Sequence, residues 1–487
     1  MSVFSDMLKV YVHEKDVKVG ALAQYCETER STVYKFINGK REPQSAGLVE
    51  KIASFMKLTP LETYRLREAW KMARMGEDTY YIRKSIEHFL TDFPNRSSQP
   101  SRNFIPHDNV EKNFPPAHSC LLLNSRQAVD SSVHQILLSE ASKSNGRIAL
   151  FLQPDYPFLL HLLSTIQPAG DLQIDHIFSL NHTVRFTETH DLYEFYYSLR
   201  NLFPIYMNSL NYHIHCFYTN EVSNFQNLSA LPYMILTSEY AITCSSDYQM
   251  GILYQDPDIL QALWNLFRSH QDLCQSVFQT FPLAADDLPS LFQFVSNSRS
   301  SADVILDIQP EACILPFLRK DLLKDICNYE LPMTDSVISM ADALFLDNIK
   351  RIKDGKFIIY FTEYGMTRFL QEGLFEEIPS TFYHPLTIEQ RIRILHEIAQ
   401  CCHDGAYRIL KKPLNHLSEN LRMCLCGNTC SLTYQTNSGA HMCFSITEPF
   451  MLQIFQDFLT NMDPDTYYSP KEAEQIINRM IKHLEAK

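Results

Sequence analysis

Four cations (Arg30, Lys35, Lys40, Arg41) and three small hydroxyl residues (Thr28, Ser31, Thr32) crowd into "TERSTVYKFINGKREP", residues 28–43. At helical spacing Val33, Phe36 and Ile37 share one side, which leaves Arg30, Ser31, Thr32, Tyr34 and Lys35 on or near the other. Side chains in the first turns of such a helix reach base edges in a DNA major groove. Arg and Lys favour guanine there, whereas Ser and Thr read tolerantly. Asn38-Gly39 ends the helix through the left-handed conformation that Gly allows, and Lys40 and Arg41 follow, placed for phosphate.

No comparable chemistry stands out elsewhere. With 13 Gly in 487 residues the chain has no GxGxxG, GxxxxGK[ST] or GxSxG, which disfavours phosphate-cradling loops and nucleophile elbows. "HEIAQ" (396–400) has Gln400 where a zincin has its second His. His213 and His215 fall on one face of a strand, with Cys401-Cys402-His403 and Cys424-x-Cys426 elsewhere, but no CxxC pair exists. These thiols read as small buried hydrophobes. The expectation is no catalytic residues, no metal and no cofactor.

The elements that must position the cationic face are short helices filling the first ninety residues. Val19–Tyr25 forms one, with Leu22 and Ala23 inward, and Thr28 or Glu29 caps the next. Thr59-Pro60-Leu61-Glu62 is a capping box that opens the last. On "TYYIRKSIEHFLTDF", Ile82, Ile86, Phe89 and Phe93 form an apolar stripe, which packs either onto the head's own bundle or against a second copy. Residues 94–118, with five Pro and no apolar periodicity, read as a linker.

At Leu22-Ala23, Arg30-Ser31-Thr32-Val33, Asn38-Gly39-Lys40, Pro43, Leu48 and Ile52-Ala53 the chain resembles the lambda-repressor/Cro-like helix-turn-helix regulators, over about residues 4–72. The resemblance implies a five-helix DNA-binding head. It implies base contacts from Arg30, Ser31 and Lys35, and phosphate contacts from Thr32, Asn38, Lys40 and Arg41. Val19 stands where the family often has a phosphate-binding Gln, and Glu27 where it often has a turn Gly.

The remainder reads as an internal duplication. "GRIALFLQPDYPFLLHLL" begins one copy at Gly146, and "GKFIIYFTEYGMTRFLQEG" begins the other at Gly355. The copies end alike: 233–267 and 422–459 both read as three strands, then an acid-Pro pair (Asp256-Pro257, Glu448-Pro449) opening a helix. The strands at 233–254 and 423–446 resemble the C-terminal part of a phospholipase D-like lobe, a family that is also duplicated. Its chemistry needs a His-x-Lys pair in each lobe, and the one His-x-Lys of this chain is His13–Lys15, in the head.

The expected fold is therefore multidomain: an all-α head, and an α/β body of two similar lobes with a helical connection. Its parts are 1–75 head, 76–93 connecting helix, 94–118 linker, 119–270 first lobe, 271–345 helical connection and 346–487 second lobe. Residues 1–90 carry a net charge of +3 and residues 91–487 a net of −16, so any DNA contact belongs to the head. No apolar run is long enough to span a bilayer, the N-terminus does not read as a signal peptide, and the 13 Cys read as reduced thiols. Together these lead to a cytoplasmic, bacterial, one-component transcription regulator that binds double-stranded DNA as a homodimer. The body would sense a small-molecule or protein effector in the cleft between its lobes. The alternative is a non-enzymatic interaction scaffold, and a third reading is a DNA-targeted enzyme with an unfamiliar site.

Overall fold

A computed structural model describes residues 2–93, 120–181, 202–208, 211–219, 230–283, 302–329, 334–378 and 380–486. The expected linker at 94–118 lies outside them. They form two compact units, one ending at Ser85 and the other beginning at Ile86.

The first unit is helical: α1 (Val3–Glu14), α2 (Val19–Tyr25), α3 (Arg30–Ile37), α4 (Ala46–Phe55), α5 (Pro60–Met75) and the first half of α6 (Glu77–Asp92). Its core joins Phe4, Leu8, Leu22, Val33, Phe36, Ile52, Leu66 and Trp70. Each of the first four helices ends on one left-handed residue: Asp16, Glu27, Gly39 and Lys57, at φ 46°, 52°, 66° and 52°. In each case the next amide reaches back five residues, as Lys40 N–H does to the Lys35 carbonyl at 2.8 Å. That bond satisfies a carbonyl the helix leaves open and reverses the chain within two residues, which lets short helices pack as a bundle. The capping box at Thr59–Glu62 forms as read.

The second unit holds two seven-stranded mixed sheets. The first comprises β1 (Cys120–Leu123), β2 (Asn145–Phe151), β3 (Asp171–Asn181), β4 (Asn211–Thr219), β5 (Tyr233–Leu236), β6 (Ala241–Cys244) and β7 (Gly251–Tyr254), in the order β1-β7-β6-β5-β2-β3-β4. The second comprises β8 (Phe278–Pro282), β9 (Ile305–Ile308), β10 (Phe357–Phe361), β11 (Tyr407–Ile409), β12 (Arg422–Cys426), β13 (Thr429–Gln435) and β14 (His441–Ile446), in the order β8-β14-β13-β12-β9-β10-β11. Adding seven to each strand of the first order reproduces the second. The pairing senses match as well: β2–β3–β4 and β9–β10–β11 are parallel, and every other pair is antiparallel.

Helices α7 (Arg126–Ala141), α8 (Pro157–Thr165) and α9 (Pro257–Gln271) belong to the first sheet. The second has α10 (Lys320–Ile326), α11 (Thr334–Lys353), α12 (Thr367–Glu372), α13 (Ile388–His403), α14 (Pro449–Thr460) and α15 (Pro470–Glu485). Both acid-Pro pairs open helices as read: Asp256 accepts from the Asp258 and Ile259 amides, and Glu448 from Met451.

Two readings change. The topological partner of β2 is β9, not the "GKFIIYF" strand β10, which occupies the place of β3. The stretch 271–345, read as a helical connection, contributes β8 and β9 to the second sheet besides its helices. The apolar string after Gly355 outshone β9, a four-residue strand interrupted by Asp307.

The apolar stripe on α6 follows neither expected course along its whole length. Phe89 and Phe93 pack against Phe203, in a helical turn at 202–207, tilted and edge-on with ring centroids at 5.4 and 4.9 Å. Phe203 also meets Tyr434 of β13 and Phe444 of β14, and the Asn437 amide donates to the Met207 carbonyl. Aromatic rings therefore fill this seam between the lobes, where a ligand cleft was expected, because burying these five rings there excludes water from both lobes at once.

Candidate functional site

Helix α3 turns Val33, Phe36 and Ile37 into the head's core, and Arg30, Ser31, Tyr34, Lys35, Asn38, Lys40 and Arg41 lie exposed, with Thr32 half-buried. Glu29 is the helix's N-cap residue but makes no side-chain capping bond, and its carboxylate accepts instead from the Ser31 hydroxyl at 2.9 Å. The Arg30 guanidinium lies along the helix over the Tyr34 ring, 5.6 Å from its centroid. Beyond α3 the chain is fixed twice: Gly39 reverses it, and Trp70 of α5 donates its indole N–H to the Pro43 carbonyl at 2.8 Å. That second anchor was not legible in the sequence, because the bond spans 27 residues. Among the described residues Lys35, Lys40 and Arg41 form no ion pair, so their charge is open to an outside anion.

The turn into α3 carries a testable strain. Glu27 sits at φ 52°, at the position where the resembled family often has Gly. A non-glycine residue held there costs about 1 kcal/mol. The exposed Glu27–Lys51 pair at 3.7 Å offsets less than about 1 kcal/mol of it. Glu27→Gly is expected to leave the head unchanged or up to about 1 kcal/mol more stable, and Glu27→Val to destabilise it. Urea unfolding checks this, and a Gly variant weaker than wild type by more than about 1 kcal/mol contradicts it.

In the body, two polar clusters lie inside the sheets. On the first sheet Asp175 of β3 accepts from His215 Nε2 on β4 at 3.0 Å and from Gln173 at 3.0 Å, with Gln271 of α9 at 3.3 Å. Arg147 of β2 lies 3.8 Å from the same carboxylate and covers the Trp264 ring of α9. Burial opposes this charge, but the His215 bond and the nearby cations hold Asp175 below the usual carboxylate range. His215 is thus committed to a carboxylate, and His213 is exposed. Among the described residues no group of three or more His, Cys, Asp or Glu could hold a metal ion.

On the second sheet the cluster forms where β9 runs out beside the start of β12. Glu311 and Gln309 are each 2% exposed, and Arg422 immediately precedes Met423, the strand partner of Ile308. One Glu311 oxygen accepts from the Glu376 amide at 2.8 Å and lies 3.9 Å from Arg422, while the neighbouring Glu377 caps the amides of Ile314 and Leu315. The other Glu311 oxygen and the Gln309 amide nitrogen have no protein partner. Sequence reading missed this corner, although both central strands lead into Gln-Pro-acid: Gln153-Pro154-Asp155 after β2 and Gln309-Pro310-Glu311 after β9.

Burial pushes the Glu311 carboxyl up to about 8, against the pull of Arg422. The unfolded chain releases that proton near 4.3, so between about pH 4.3 and 8 the folded state holds more protons and stability falls as pH rises. Glu311→Gln keeps an acceptor for the Glu376 amide but cannot ionise. Its stability relative to wild type is expected to be clearly higher at pH 8.5 than at pH 5. Denaturant unfolding at both values tests this, and an equal difference at the two pH values sinks it.

Architecturally, the chain is a helical bundle followed by a duplicated α/β body. No family model matches it, and neither does any curated protein. Solved structures similar to it in part include TrmBL2, an archaeal chromatin protein reported with a novel mode of DNA binding: 9% identity, TM-score 0.20, covering 54% of this chain and 88% of that one. Phosphatidylserine synthase from Haemophilus influenzae matches at 11% identity and TM-score 0.25, covering 75% and 92%. Polyphosphate kinase from Porphyromonas gingivalis matches at 10% identity and TM-score 0.20, covering 76% and 56%. Likenesses this remote carry no argument about function. Among the described residues no helix is long and apolar enough to cross a membrane.

Proposed function

We propose that this protein is a sequence-specific DNA-binding transcription regulator with a helix-turn-helix head, acting as a homodimer, whose two-lobed body senses an effector. The observation that carries the reading is the outer face of α3 and the turn after it. There Arg30, Ser31 and Lys35 stand exposed on one short helix, and Lys40 and Arg41 follow without ion pairs on the mildly basic part of an otherwise acidic chain. Arg30, Ser31 and Lys35 read base edges, while Thr32, Asn38, Lys40 and Arg41 hold phosphates and set the register. The acidic body is repelled by the duplex, which leaves the head as the DNA-facing part. Genome-wide footprinting of the native protein tests this: discrete protected sites are expected, and their absence under low-salt conditions rejects the reading.

A further inference from the structure

The second lobe carries a groove of about 540 Å³. Its lining mixes the apolar side chains of Phe317, Ile349, Ile352, Ile358, Ile394 and Ala406 with as much polar surface. One side is the face of α13 that carries Arg393, Ile394, Glu397, Cys401 and Asp404, a span of about 16 Å at the helical rise. The turn residues Gly355 and Gly405 border the mouth, both left-handed at φ 67° and 80°, and neither would bring a Cβ within 4 Å of another residue. The space over these turns is thus open.

On its α13 side, about 16 Å long, the groove is long enough for an extended medium-length hydrocarbon chain.

Its charges are distributed unevenly. At one end stand Arg319, the N-cap residue of α10, and Arg393; the Arg393–Asp321 contact at 3.5 Å, exposed on both sides, ties α13 to the start of α10. Arg319 makes no ion pair among the described residues. At the other end stand Asp404 and the carbonyl ends of α11 and α13, whose dipoles repel anions, against Lys353, and Glu397 lies one helical turn from Arg393. Arg408 at that end is committed to the Gly405 carbonyl and the Tyr360 hydroxyl. An anionic head group is therefore favoured at the Arg319–Arg393 end and an apolar chain along the isoleucines.

We propose that this groove binds a linear amphipathic carboxylate, its chain on the Ile349–Ile352–Ile358–Ile394 floor and its head group at Arg319 and Arg393. That such a molecule is the effector rests on the regulator reading above; the binding itself does not.

Calorimetric titration of the full chain with decanoate and with decylammonium tests the site. Decanoate is expected to bind and decylammonium to bind at least ten-fold more weakly. The exposed double change Arg319→Glu/Arg393→Glu should weaken decanoate at least ten-fold and reverse that preference. Ile358→Trp should fill the floor and block both. Equal binding of the two probes, no decanoate binding, or binding indifferent to both variants overturns the proposal. DNA affinity measured with and without decanoate separates the two readings. Decanoate binding that leaves DNA affinity unchanged keeps the site and removes its role as effector. A chain that binds decanoate but no DNA keeps the site and rejects the regulator.

Discussion

Raising salt from 50 to 200 mM is expected to weaken the proposed DNA binding on the order of a hundred-fold. The figure follows from two unpaired cations per head, Lys40 and Arg41, acting twice in the proposed dimer: four phosphates would be neutralised, with a salt slope of about −3.6. Lys40→Ala should lower affinity for every sequence alike and flatten the slope by about 1 per head. Arg30→Ala and Lys35→Ala should behave differently. Each removes a proposed base-edge contact, worth about 1–3 kcal/mol of discrimination, so the preferred site loses most and mismatched sites little. Fluorescence anisotropy titrations over a salt series, on a preferred and a scrambled duplex, read both quantities. If all three variants bind both duplexes as wild type does, α3 is not the reading element.

Phe203→Ala is expected to cost the body about 3–5 kcal/mol, the largest single-residue effect on stability that the fold suggests. Phe203 is 1% exposed, and its ring meets Phe89, Phe93, Tyr206, Tyr434 and Phe444, with centroids 4.9–6.1 Å away. These neighbours come from α6 and from both lobes, so no single element can move to close the hole. The loss should appear in denaturant unfolding and as faster proteolysis of the body, while Phe203→Leu should retain most of the stability. A loss under about 1.5 kcal/mol would mean that the seam collapses around the gap.

The head was largely legible because its rules are local. Leu22 and Ala23, then Val33, Phe36 and Ile37, recur at helical spacing, and Gly39 and the Thr59–Glu62 box mark ends that the neighbouring backbone enforces. Glu27 was legible as a departure, and its left-handed backbone shows what that departure strains. The body was half legible. Its terminal blocks share an antiparallel three-strand pattern whose pairing partners are adjacent in sequence, so likeness survives in the string. Its parallel strands pair across helices, and there local resemblance misled: β10 looks like β2 but lies where β3 does.

By itself, the sequence determined the helices of the head, the cationic face of α3 and the separation of a mildly basic head from an acidic body. These depend on residue type at short spacing and on charge, both of which are carried in the string. Only the tertiary structure decided that β8 and β9 complete the second sheet, that aromatic rings fill the seam between the lobes, and that Glu311 meets Arg422 across 111 residues. Those facts depend on which distant residues exclude water from one another, and burial of that kind leaves no periodicity behind.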